Sequence, residues 1–573
     1  MPPPRRTRRA LPLLLLVGAL LYLPCLDTPY LLDDYMHAAL VSGRLGLVRG
    51  PFDLYDFVND ADRAIFVRQG LLPWWADAHL KIRFYRPLPS ALRWLDLHAL
   101  PTHVRLMHVH SLLWWALMVV LAAGLFRRLL TPRAALVATV ILALGPWNVM
   151  PLAWLANREV LMTLAFGVVA LRCALRGGVF LVGALLAYGA AFACGEYAFC
   201  LGGYALALAL LGAPRPTRRR VLELATFVVP AVGYLAIRAH RGYGTFASSF
   251  YADPLREPGK LLWLSPARIV KLLAQSWLTL GTDPWGTSAP LWAICLGVAL
   301  LLVLFVLAVR RLWPELDTTQ RHTHGWLLLG SLAAMVPVLA AVPSARLLAV
   351  SALGMAAVVA TFLDECWSPK DPTRRRHPEL VGLVATALAF TQLVHGPMAS
   401  LLSGLGVRRN AHVSDQAARA LAKRIDDEHP AEIDVVRGGG QAFFGPFALA
   451  LYRRDEAGND PPWHVLSQTQ HVLALVQEGN VLELKSSEKG PLIPGGRDNL
   501  YRDTSRLYRP GDTVERDGMR VEILEVGSEG PTRARYTFAR ALHSNAHLWL
   551  DERAIGLSPA DLPPVGFGAP FDP

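Results

Sequence analysis

The chain has 573 residues, 53% of them hydrophobic and only 18% charged, with a formal net charge of +12 at pH 7. A soluble globular domain is nearer a quarter charged. The composition therefore excludes an ordinary soluble domain and describes a polytopic membrane protein. The excess arginine sits in short clusters between apolar runs, where it sets topology, which argues against nucleic acid as the partner. The six cysteines (Cys25, Cys173, Cys194, Cys200, Cys295 and Cys366) lie in or beside apolar segments with no CxxC spacing, so neither a zinc nor a disulfide framework is expected from them.

Arg5, Arg6, Arg8 and Arg9 precede an apolar stretch from Leu11 to Leu26. No small-residue cleavage site follows, so this is read as an uncleaved first transmembrane helix, about 11–27, with its basic end in the cytoplasm. It delivers Asp33 and Asp34 to the outside. Residues 28–103 form a large external loop with amphipathic pieces at 62–72 and 89–100, and Trp74-Trp75 reads as part of an interfacial belt. Further helices are expected at about 104–126, 134–152, 160–175, 179–194, 198–213 and 221–237. After an aromatic, partly amphipathic external segment at 238–287, four more follow at about 288–309, 325–342, 347–364 and 379–397.

That makes about 11 transmembrane helices with the N-terminus inside. The strong basic clusters in short loops then fall on one side: Arg127-Arg128, Arg172 and Arg176, Arg215 with Arg218 to Arg220, Arg310-Arg311, and Lys370 with Arg374 to Arg376. An odd count puts the C-terminus outside. Residues 1–399 are read as the transmembrane domain and 400–573 as a soluble extracytoplasmic domain. In the latter, 412–428 reads as an amphipathic helix. Strands are expected at 433–436, 447–452, 464–466, 472–476, 481–484, 520–526 and 534–538, punctuated by Gly and Pro, which makes the domain β-rich.

Two adjacent carboxylates at the lip of a membrane helix are costly unless something uses them. A carboxylate in hydrogen-bond reach can take the proton of an attacking hydroxyl. Its neighbour raises its pKa by repulsion, or the two share a hard divalent cation. Arg158, Arg238 and Arg346 break the topology rule, lying at outer helix ends on the Asp33 side with Arg83 and Arg86, and a lipid phosphate is their natural counter-ion.

Taken in order, Asp33-Asp34, Tyr85-Arg86-Pro87-Leu88, His108 with His110, Ala156-Asn157-Arg158-Glu159, Gly195-Glu196-Tyr197 and Pro343-Ser344-Ala345-Arg346 resemble the GT-C glycosyltransferase superfamily. The likeness is to its protein O-mannosyltransferase-like and bacterial polyprenyl-phosphate-sugar-dependent branches, and it covers roughly residues 10–400. It implies inverting transfer of a hexosyl or pentosyl unit from a polyprenyl-phosphate sugar donor to a glycan, lipid or protein acceptor outside a bacterial inner membrane. Asp33 and Asp34 would be the catalytic pair and the ligands of a divalent cation, Mg or Mn. Tyr85, Arg86, His108, Arg158, Glu196 and Arg346 would bind substrate. Asp-Asp replaces the Asp-Glu pair of several branches, which leaves open which of the two is the base. The alternatives are a transporter or flippase of lipid-linked saccharides and a non-catalytic assembly protein for envelope polysaccharide. A transporter should show interrupted helices in two matching halves, and the sequence has no such symmetry.

Overall fold

The computed structural model describes residues 5–281, 290–367, 378–454, 460–469, 472–486, 490–493, 499–503, 506, 508–553, 556–563 and 568–571. Pro2 to Pro4, the start of the helix expected at 288–309, Lys370 and Arg374 to Arg376 lie outside them. The chain forms two compact units. One comprises Met1–Thr28, Tyr85–Gly242 and Pro254–Arg408; the other comprises Pro29–Phe84, Tyr243–Asp253 and Arg409–Pro573.

The first unit is helical. Among the described residues, six helices are long and apolar enough to cross a bilayer: Val104–Leu129, Thr217–His240, Trp292–Arg310, Thr318–Ala340, Ala349–Trp367 and Glu379–Glu428. They make the protein a multi-pass membrane protein. Pro132–Leu144 and Pro146–Ala153 add a seventh span if taken together, bent by 46°. Pro146 supplies the break, since it has no N–H to continue the ladder. Phe180–Ala193 and Phe199–Leu211 are apolar but have only 14 and 13 residues. At 1.5 Å per residue each reaches about 20 Å, short of a hydrocarbon core of about 30 Å.

Ala349–Trp367 lies deepest, with 83% of its apolar window buried. A Cβ on Gly354 would stand 2.2 Å from the Leu327 carbonyl oxygen, so only glycine admits that approach. The Tyr204 hydroxyl closes the same contact, donating to the Val350 carbonyl and accepting from Gly354 N–H, both at 2.8 Å. The segment at 238–287, expected to be aromatic, partly amphipathic and external, contains a 21-residue helix, Pro258–Leu278. Its amphipathic spacing was visible; its length was masked by Pro258 and Pro266, the first of which sits where a helix tolerates proline.

The described residues of the second unit form three sheets. Asp56–Val58, Lys81–Arg83 and Gly244–Phe246 form a small antiparallel one. Six strands form another, antiparallel throughout, in the spatial order Gly568–Phe571, Val472–Glu478, Val481–Ser486, Pro531–Phe538, Met519–Val526, Thr513–Arg516. A four-stranded mixed sheet runs Gly556–Pro559, His547–Arg553, Glu432–Arg437, Trp463–Ser467. Six of the seven expected strands are present. The exception is 447–452, which ends the helix Gly440–Tyr452; a short apolar run does not by itself distinguish a buried strand from a buried helix.

Residues from the segment expected as a large external loop enter this unit's core. Trp74 and Trp75 are 2% and 0% exposed, and Trp74 Nε1 donates to the Leu466 carbonyl at 2.9 Å. They are core residues and not the interfacial belt expected of them. The expected amphipathic helix is the end of a longer one, Gly396–Glu428.

Candidate active site

Asp33 and Asp34 open the helix Asp33–Val41 in the second unit. Leu32, just before them, has φ 49° and ψ −116°, a costly conformation for a side chain with a Cβ. The turn is held by two reciprocal bonds: Asp34 N–H donates to the Leu31 carbonyl at 2.9 Å, and Leu31 N–H donates to Asp34 Oδ2 at 3.2 Å. Asp34 is fully buried, whereas Asp33 is half-buried. Burial, and then the Asp33 charge, push the Tyr501 phenol up. On the next residue, the Tyr35 hydroxyl donates to Asp415 at 3.0 Å and anchors the helix.

The remaining expected residues lie in the first unit. Arg86 precedes the helix Pro87–Ala99 and lies between two carboxylates. Nη1 donates to Glu159 Oε1 at 3.0 Å, Nε to Glu196 Oε2 at 3.4 Å, and Nη2 pairs with Glu196 Oε1. Gly195 makes room: its φ of +129° suits glycine, and a Cβ there would meet Arg86 Cγ at 2.8 Å. Tyr234 donates to Glu196 Oε2 at 3.4 Å, and Tyr85 lies against the Tyr234 ring with centroids 5.9 Å apart.

Glu159 is 3% exposed, accepts from Asn157 Nδ2 at 3.0 Å, and its Oε2 has no hydrogen bond among the described residues. The turn Ala345–Leu347 carries Arg346 to this cluster, tied down by the Tyr197 hydroxyl, which donates to the Leu347 carbonyl at 2.8 Å. The half-buried Arg346 guanidinium lies 5.1 Å from the centre of the Trp154 ring. Among the described residues it makes no hydrogen bond or ion pair.

Two expected residues are committed elsewhere in the unit. His108 is fully buried, with Nδ1 2.8 Å from the Leu152 carbonyl and Nε2 2.9 Å from that of Thr28, a clasp between backbone segments. Arg158 is 3% exposed. It donates through Nε to Ser111 Oγ at 2.8 Å, Nη1 to Asp96 at 2.6 Å and Nη2 to the Met107 carbonyl at 2.7 Å. The structure thus gathers Arg86, Glu196, Tyr85 and Arg346, and adds Glu159, Trp154 and Tyr234. Glu159 had a signal in the sequence, an acid opening an apolar helix; Trp154 and Tyr234 had none.

Asp33 and Asp34 would be the residues to hold a hard cation, an ion that takes one or two carboxylates when substrate and water complete its shell. Among the described residues, three ligand atoms of acidic, histidine or cysteine side chains come within 4.8 Å of one another at Glu432, Asp434 and His547, which could hold a metal ion. Burial opposes the Asp434 charge, but hydrogen bonds from His464 and His547 hold its carboxyl below the ordinary range. Burial and then the Asp434 charge push Glu432 up.

No protein-family model and no curated protein matches the sequence. Among solved structures it is similar to the Archaeoglobus fulgidus oligosaccharyltransferase. The apo form gives a TM-score of 0.44 at 11% identity, covering 80% of this chain and 64% of that one. The archaeal oligosaccharyltransferase AglB from Archaeoglobus fulgidus in complex with an inhibitory peptide and a dolichol-phosphate gives 0.43 at 12% identity, over 78% and 64%. ArnT from Cupriavidus metallidurans bound to undecaprenyl phosphate gives 0.33 at 16% identity, over 80% and 86%. The chain spans less than two thirds of the length of the archaeal enzyme.

Proposed function

We propose that the chain is a GT-C-type membrane glycosyltransferase that moves a sugar from a polyprenyl-phosphate donor to an extracytoplasmic glycan, lipid or protein acceptor. The observation that carries this reading is the cluster around Arg346: a guanidinium with unspent donors, seated on Trp154 beside a buried carboxylate. Departure of the sugar leaves a lipid phosphate, and a planar, permanently charged fork grips that anion through paired bonds. Arg86 differs, because Glu159 and Glu196 already neutralise it; its role is to shape the cluster. Asp33, the more exposed of the pair, is assigned as the base that takes the acceptor hydroxyl's proton. Asp34 is assigned to holding the turn. A magnesium or manganese ion on Asp33 and Asp34 would supply a fixed positive charge next to the acceptor oxygen.

Purified protein should transfer label from at least one of a panel of radiolabelled polyprenyl-phosphate sugars. Arg346→Ala should cost donor use about 1.5–3 kcal/mol, the scale of a hydrogen bond to a charged group, roughly 10- to 150-fold. Lysine should rescue only in part, since it lacks the two-pronged contact. Wild-type turnover of the lipid-phosphate donor by Arg346→Ala would place the phosphate elsewhere.

The same proposal takes the eleven-span topology, with the β-rich unit on the periplasmic side of a bacterial inner membrane. An alkaline phosphatase joined after Pro573 should then be active in a Gram-negative host. Activity of a cytoplasm-only reporter at that point would show an even number of spans.

A further inference from the structure

Strand Glu432–Arg437 pairs in parallel with His547–Arg553 on one side and Trp463–Ser467 on the other. His547 stands opposite Glu432, and His464 opposite Asp434. Because side chains alternate along a strand, these four project from one face of the sheet. Nδ1 of His547 lies 2.8 Å from Asp434 Oδ2 and 3.7 Å from Glu432 Oε2. Two ligands bound to one cation at about 2.1 Å each are about 3.0–3.4 Å apart, depending on geometry. The two separations bracket that range.

Two further observations point to a ligand. Glu432 is 3% exposed, and its Oε2, aimed at His547, has no hydrogen bond among the described residues. Its Oε1 is held by Arg540 at 3.2 Å. A buried carboxylate oxygen without a donor is costly, and a cation would remove that cost. Asp434 is fixed from behind: its Oδ1 lies 2.8 Å from His464 Nδ1, whose Nε2 lies 2.9 Å from the Asp517 carbonyl. A carbonyl only accepts, so that Nε2 carries a proton, and Nδ1 meets the carboxylate as a second donor. His464 is then a charged orienting group and not a ligand, the usual outer partner of a ligating carboxylate.

We propose that Glu432, Asp434 and His547 form a divalent-cation site of the zinc class in the β-rich unit, joining two strands that are 115 positions apart in the chain. The imidazole donor favours zinc over magnesium or calcium, which prefer oxygen alone. Without a cation, His547 Nδ1–H donates to Asp434; a cation displaces that proton, so affinity falls as pH falls. The site is independent of the proposed sugar transfer.

The test uses the full chain in detergent, stripped with a chelator and titrated with zinc against a chromophoric competitor. Wild type should bind one tight equivalent. Asp434→Asn and Glu432→Gln should bind it at least tenfold more weakly. His543→Gln, at an exposed histidine in the loop before the strand, should leave it unchanged. Zinc should raise the melting midpoint, followed by tryptophan fluorescence, in wild type and not in Glu432→Gln. If Asp434→Asn does not fold, Glu432→Gln and His547→Gln decide. Absence of a tight equivalent in wild type, or equal affinity in Glu432→Gln and His547→Gln, overturns the proposal. Transfer activity is read separately, so failure here is distinct from failure of the transferase reading.

Discussion

Asp33→Asn is expected to abolish sugar transfer while the protein stays folded. The amide is nearly isosteric with the carboxylate but accepts no proton, and a positioned general base contributes about 10²–10⁴ in rate, or roughly 3–5.5 kcal/mol of barrier. Asp33 is half-buried, and the near-isosteric amide keeps the side chain's shape while removing its charge and basicity. Asp34 is the contrasting case. Its Oδ2 accepts from Leu31 N–H and is part of what holds Leu32 at a positive φ, so Asp34→Ala should loosen the turn and lower the melting temperature as well as the rate. Transfer assays paired with thermal melts separate the two. Wild-type rates in Asp33→Asn at normal stability would take the base out of this position.

Arg158→Ala should destabilise the helical unit by about 3–5 kcal/mol, the cost of stranding a buried charge when its partner is removed. Asp96 is 5% exposed and would be left with His110, at 2.9 Å. The same side chain also ties Ser111 and Met107, so three groups lose a donor at once. Burial opposes the Asp96 charge, yet hydrogen bonds from His110 and Arg158 hold its carboxyl below the usual range. That contribution is complete above the unfolded carboxyl value of about 3.9 and is lost as pH falls through the lower folded value. The substitution should therefore shift thermal unfolding in detergent at neutral pH and much less in strong acid. A variant of normal stability with weakened donor binding would restore Arg158 as a substrate group.

Hydrophobic runs and basic clusters made the helices legible in the chain, because crossing a bilayer demands a long apolar segment and short loops carry charge by side. Strand alternation was equally readable from Val472 to Phe538, where each run is bounded by turn residues. The arginines expected at outer helix ends could be recognised as unexplained by topology, since that rule is itself a sequence rule. Which of them is spent could not. Arg86 and Arg158 look alike in the chain as Arg346 does, and they differ only in the carboxylates that distant segments bring: Glu159 and Glu196 for one, Asp96 for another. Partner identity depends on packing between residues tens of positions apart, and no local pattern encodes it. For the same reason Trp74 and Trp75 read as an interfacial pair until the strands around Leu466 and Tyr536 enclosed them. The cluster of Glu432, Asp434, His464 and His547 was invisible because parallel pairing, which sets those four on one face, joins strands that the sequence keeps apart.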